Sequence, residues 1–126
     1  MHALRNIHHA LVPDGILVDT QPVSACPAVV SERVVLGSLD LREWLETVRS
    51  VDELVAETIA GGLYELQREQ HFVVTDTFDD GLECLQHVGS WRGTRVPARV
   101  SKRLIAATSR VTVQQEVRLR LLGRRA

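Results

Sequence analysis

Cysteine, aromatic side chains, charge of either sign in excess and long apolar runs are all scarce in this chain, and each scarcity excludes something. Cys26 and Cys84 are the only cysteines in 126 residues, too few for the disulfide framework of a small secreted domain. Their separation matches no zinc or redox spacing; the pair permits one disulfide, and two free thiols are the expectation. Lys and Arg number 15 against 16 Asp and Glu, a net charge of −1, so no overall field draws the chain to nucleic acid or to a membrane. Aromatic residues make up 4%, and no basic residues alternate with them as in a single-strand-binding surface. No apolar run approaches the ~18 residues of a membrane span, and Met1 leads straight into a helical pattern without a leader-like apolar segment. A cytoplasmic protein is expected, without nucleic-acid or membrane partners.

What is present is ordinary globular material, 44% hydrophobic and 25% charged, of a length that one core organises. Leu4, Ile7 and Leu11 recur at helical spacing, and Pro13 forbids continuation. Gly15 is expected to supply the positive φ of the Pro-Asp-Gly turn. Ile16, Leu17 and Val18 then run apolar on both sides of the pleat, the pattern of a strand covered on both faces. Pro22 to Leu39 reads as a loop with some β character.

Asp40 with Glu43, and Ser50 with Glu53, look like capping boxes, predicting two helices with a break near Ser50 and an end at Gly61-Gly62. Phe72 to Phe78 reads as a strand, Asp80 with Glu83 caps the next helix, and Pro97 opens a short one. Trp44, Trp91 and Tyr64 fall on or near core stripes. From Val111 to Leu122 the alternation is nearly strict: Val111, Val113, Val117, Leu119 and Leu121 on one face; Thr112, Gln114, Glu116, Arg118 and Arg120 on the other. The first face is expected in the core and the second in water. Arg118, Arg120, Arg124 and Arg125 are accordingly expected to form a solvated basic tail.

The order of elements, with Leu11-Val12-Pro13-Asp14-Gly15 before Ile16-Leu17-Val18, then Gly62 to Leu66, Phe72 to Val74, Thr77 to Asp80 and the closing alternating strand, resembles the C-terminal half of class I S-adenosylmethionine-dependent methyltransferases. In that family a Leu-x-Pro-Gly-Gly turn leads into the fifth strand; here Asp14 stands at one glycine position. The resemblance implies an α/β fold in one domain over residues 1–126. Its sheet would be partial and Rossmann-like, of three to four strands, with helices mainly on one face. The last strand would be antiparallel and inserted between the first and the middle one.

The family's Gly-rich cofactor turn follows its first strand, and no Gly-x-Gly-x-Gly follows any strand here. The resemblance therefore implies a methyltransferase-like protein that lacks the N-terminal S-adenosylmethionine-binding motif and is inactive as an isolated chain. No residue is assigned to catalysis or to the cofactor, which would bind only if an N-terminal half completed the fold. A non-enzymatic dimerisation or binding domain reusing the half-fold is the alternative. Because the first strand would lack its family neighbour, a homodimer or association through the Ile16–Val18 edge is expected.

Among candidate site residues, Asp19, Thr20 and Gln21 stand at the carboxyl end of the first strand, where open α/β sheets bind ligands; the resemblance implies a substrate-facing position. The alternative is that Asp19 and Gln21 cap loop amides. His8 and His9 are adjacent on a helix and point about 100° apart, and His2 is six residues before His8, so they do not converge on a metal. Glu83 and His87 share a helix face, with Cys84, His71, Asp79 and Asp80 as local donors; an exposed Glu-His pair is the expectation, and no metal site is assigned. Cys26 has no visible base, and Ser24 and Ser90 lack a nucleophile-elbow pattern.

Overall fold

Helix α1 (His2–Ala10) gives way to strand β1 (Ile16–Pro22) through the Pro-Asp-Gly turn. The computed structural model describes residues 2–125, the side chain of His2 excepted. The turn corrects one expectation. Asp14 takes the left-handed conformation, with φ of 64°, as a short polar side chain tolerates. Gly15 is required for space instead: a Cβ there would lie 2.8 Å from the Val12 carbonyl oxygen.

After β1 come β2 (Ala28–Ser31) and β3 (Val34–Ser38), helix α2 (Arg42–Ala60), β4 (Tyr64–Phe78), helices α3 (Gly81–Val88) and α4 (Ala98–Ala106), and β5 (Val111–Arg124). The loop expected over residues 22–39 thus contains a hairpin, turned by Glu32 and Arg33 at φ of 49° and 66°, the sign that a two-residue hairpin turn demands. The break expected near Ser50 does not occur. Ser50 donates its hydroxyl to the Glu46 carbonyl within one continuous helix, so its side chain bonds backwards instead of capping. Asp40 stands one residue before the N-cap Leu41 and accepts the Arg42 N–H at 3.0 Å. The box at Asp80 forms as expected: its carboxylate accepts the Glu83 N–H, and Glu83 accepts that of Asp79.

The sheet has five strands, all pairs antiparallel, rather than three to four. β5 is its centre. β4 lies along the whole of one edge of β5, while β1 and β2 share the other, β1 on residues 117–123 and β2 on residues 111–114. The order β1–β5–β4 places the last strand between the first and the long middle one, and β2 and β3 extend the far end.

The helices do not lie mainly on one face. Val111 and Val113 of β5, with their neighbours Val29 and Phe78, pack under Cys84, Val88, Val100 and Leu104 of α3 and α4. Leu122, with Leu17 and Tyr64, packs under Leu4, Val51, Val55 and Ile59 of α1 and α2. Val113 and Leu122 are an odd number of residues apart in a strand that pairs one-to-one with β4 from 111 to 121, so the pleat puts the two clusters on opposite faces. Each half of β5 is therefore covered on one face only. The uncovered quadrant of the N-terminal half carries Thr112, Gln114 and Glu116, with Val73 (66% exposed) beside Glu116. That of the C-terminal half carries Leu119 and Leu121 of β5, with Ile16 (47% exposed), Val18 (56%) and Phe72 (41%) beside them.

Gly81 is where α3 touches α4: a Cβ there would fall 1.8 Å from the Leu104 carbonyl oxygen, backbone that cannot yield. Gly81→Ala is expected to lower the unfolding free energy by at least about 2 kcal/mol, read as a lower urea midpoint; an unchanged midpoint would refute this contact.

Candidate functional site

The carboxyl end of β1 carries the three residues singled out above, and the structure separates them. Thr20 is exposed, paired with Leu119 on the open apolar quadrant. Asp19 and Gln21 point to the opposite face, beneath α2. The side-chain amide of Gln21 donates to Asp19 Oδ1 at 3.0 Å, and Arg120 donates to Asp19 Oδ2 through Nε at 2.9 Å and Nη2 at 2.6 Å. Among the described residues neither caps a loop amide. Asp52 of α2 completes the group, receiving Arg118 at 2.7 and 3.1 Å and Arg120 at 2.9 Å.

This ion cluster overturns the picture of Arg118 and Arg120 as a solvated tail. Arg120 is 8% exposed, and the two side chains share two carboxylates that arrive from β1 and α2. Arg124 is also engaged, donating to the Leu11 carbonyl at the end of α1. Burial works to raise the Asp52 carboxyl, but the bonds and charges of Arg118 and Arg120 prevail and hold it below the usual carboxylate range. The cluster clamps α2 to the sheet. With its carboxylates satisfied by guanidinium groups, it offers no base.

The other candidates are likewise spent on structure. His8 is buried, not a solvated flank: its Nε2 donates to the Arg125 carbonyl at 2.8 Å, and its ring meets Tyr64 edge-on. His71 lies between Glu69 and Glu116 on the sheet, away from Glu83 and His87 on α3. Among the described residues no three His, Cys, Asp or Glu side chains come together to hold a metal. Cys26 and Cys84 are free; Cys26 is exposed, and burial first, then Asp76 and Glu83, push the Cys84 thiol up to about 11. Ser24 accepts the Glu116 N–H and Ser90 donates to the His87 carbonyl, so neither hydroxyl is poised as a nucleophile.

A site that the sequence reading missed lies where β1 ends and β2 has not begun. Pro22, Leu41, Trp44, Trp91, Arg92, Thr94 and Gln115 line an open cleft of about 320 Å³, within the size range of small-molecule sites. Its walls are mostly apolar, and no acidic side chain lines it. The Trp44 indole N–H is buried without an acceptor among the described residues, which is costly unless something supplies one. Trp44 and Trp91 were legible only as members of core stripes; both do pack against the cluster of α3 and α4. Their convergence from residues 47 positions apart is a tertiary fact with no local signal.

No protein-family model matches the chain, and neither a curated protein nor a solved structure matches it.

Arg120→Met leaves Asp19 buried, with Arg118 at 4.0 Å as its remaining cation. It is expected to lower the unfolding free energy by about 3 kcal/mol, and Asp19→Asn combined with it should cost less than the two separately. Additive costs in that denaturation cycle would dissolve the cluster as a unit. The lowered Asp52 carboxyl has a defined pH consequence: its contribution is complete above its ordinary value of 3.8 and is lost as pH falls below that. Parent stability should therefore fall more steeply in that range than stability of Asp52→Asn.

Proposed function

We propose that this chain is a methyltransferase-like half-fold, related to the C-terminal part of the class I S-adenosylmethionine-dependent enzymes and not itself a cofactor binder. The observation that carries this reading is the strand order β1–β5–β4, with the last strand antiparallel and lying between the other two. It is the arrangement expected from the resemblance, and it is not the order in which strands occur along the chain. The packing of α1 and α2 together against the Leu17–Leu122 face supports it further. In this reading β2, β3, α3 and α4 are additions gathered at the carboxyl ends of β1 and β4, where substrates meet an open α/β sheet. Thr20 is the exposed member of the substrate-facing trio, while Asp19 and Gln21 fix the arginines behind it.

The residues present do not fit the cofactor. Among the described residues the turns that follow strands are Val23 to Pro27, the hairpin turn, Leu39 to Leu41 and Asp79-Asp80, none of them a glycine-rich cradle. Gly61 and Gly62 close α2, and Gly81 is filled by the Leu104 carbonyl. No methyl transfer step is derived for this chain.

A binding or dimerisation role is favoured by one specific observation, exposed apolar side chains beside the open edge of β1. Leu119, Leu121, Ile16, Val18 and Phe72 share a face that no described helix covers, and Ile16 and Val18 lie on β1, whose outer edge no described strand occupies. An apolar face beside an open strand edge is a surface for association, and in the proposed reading a second copy or a separate cofactor-binding polypeptide covers it.

Calorimetric titration of the chain with S-adenosylmethionine is expected to give no saturable heat, and micromolar binding would overturn the half-fold reading. Sedimentation equilibrium is expected to show a dimer that Val18→Lys converts to monomer without loss of helical signal. A monomeric parent at about 1 mM, a concentration at which even an interaction of roughly −4 kcal/mol would register, counts against association.

A further inference from the structure

No described strand occupies the outer edge of β4. The strand pairs with β5 alone, and every residue from Glu65 to Thr75 is exposed, Val73 at 66% and Phe72 at 41%. It runs for 15 residues without proline or lysine. A bulge lies between Leu66 and Arg68, and from Arg68 to Phe78 the pairing with β5 is regular. Such an edge is a template for another strand. Charges along an edge ordinarily keep other strands away. Here they are spaced so that the strand complements itself.

A two-fold axis normal to the sheet keeps every side chain on its own face, so antiparallel pairing of two copies sets residues of like parity opposite each other. With the axis at Phe72, that ring faces its counterpart, Gln70 faces Val74 and Arg68 faces Asp76 on one side of the sheet. On the other side His71 faces Val73 and Glu69 faces Thr75. Arg68 and Asp76 thereby meet at both ends of the seam, and neither belongs to an ion pair among the described residues. The paired stretch, residues 68–76, lies within the regular part of β4 and stops at the bulge. Other registers lose this match. An axis at Arg68 or Glu69 sets like charges together. An axis at Gln70 draws the bulge into the pairing and relies on His71, which Glu69 and Glu116 of its own chain already flank. An axis at His71 or Val73 leaves Arg68 opposite Val74 or Phe78. The rotation about Phe72 also sets the half of one copy that α3 and α4 cover beside the uncovered half of the other, so these helices do not oppose each other across the seam.

We propose that a second copy of this chain pairs with the first edge to edge through β4, antiparallel about a two-fold axis at Phe72, making one continuous sheet. The contact goes beyond the half-fold reading and does not depend on it. It is also separate from the β1 surface, because β1 and β4 lie along opposite edges of β5. Most side chains along the seam are polar, so about eight backbone hydrogen bonds carry it, and it is the weaker of the two contacts. Val18→Lys, which removes the other, isolates it.

Oxidative crosslinking of the full chain reads both the contact and its register. The background is Cys26→Ser with Val18→Lys, in which the remaining native thiol, Cys84, is buried. Cβ atoms directly opposite each other lie about 5 Å apart, so Phe72→Cys is expected to give a disulfide-linked dimer. Gln70→Cys and Val74→Cys stand off the axis, each about 14 Å along the strands from its own counterpart. Either alone should crosslink at least about tenfold more slowly than Phe72→Cys, while an equimolar mixture of the two should give the mixed dimer. Arg68→Asp should slow crosslinking of Phe72→Cys about tenfold, and adding Asp76→Arg should restore it, a rescue that a folding defect would not allow. No crosslinking of Phe72→Cys at about 1 mM protein would overturn the proposal. So would equal rates at all three positions, which mean random collision, a faster rate at Gln70→Cys or Val74→Cys, or failure of the rescue. S-adenosylmethionine binding and the mass of the parent chain are read separately, so failure here and failure of the half-fold reading are distinguishable.

Discussion

The backbone pairing of β5 is the constraint from which the rest of the structure follows. Three of the other four strands bond directly to it, and only β3 reaches the sheet through an intermediary. At 14 residues it spans roughly 45 Å, much longer than a typical strand. None of the four described helices covers that length on one face. The chain divides the task, placing α3 and α4 over the odd-numbered face of the first half and α1 and α2 over the even-numbered face of the second.

That division explains why arginine is buried on a strand whose pattern promised water. Strict alternation assigns Arg118 and Arg120 to the solvent face, and in the first half of β5 the same face does meet solvent, at Gln114 and Glu116. In the second half α2 lies over it. The guanidinium groups then require counter-charges, which Asp19 of β1 and Asp52 of α2 supply from 101 and 66 residues away. Conversely Leu119 and Leu121, which the alternation assigns to the core, face the quadrant that no helix of this chain covers.

The same geometry brings side chains far apart in sequence together. The lateral gap between β1 and β2, both paired to one edge of β5, leaves room for Trp44 at the start of α2 and for Trp91 after α3. The cleft they form stands at the carboxyl end of β1. The trio Asp19, Thr20 and Gln21 is split by the pleat, one side chain towards the open quadrant and two into the ion cluster. Adjacent residues in a strand serve opposite faces.

Local chemistry was readable where neighbours along the chain decide it. The stop at Pro13, the Asp80–Glu83 cap, the period-two pattern of β5 and the position of the last strand between the first and the middle one all follow from residues and spacing, the last through resemblance. The continuity of α2 through Ser50, the hairpin between residues 28 and 38 and the conformation of Asp14 were misread, because competing local bonds of similar energy are settled by packing. The faces were beyond reach for a firmer reason. Alternation reports that a strand has two different sides, but which side meets water depends on where a helix many residues away comes to rest. By itself the sequence determined most of the elements, and the resemblance gave the central place of β5; only the tertiary structure decided which half of each face is covered, and thereby made an ion cluster of the arginines and a cleft of the tryptophans.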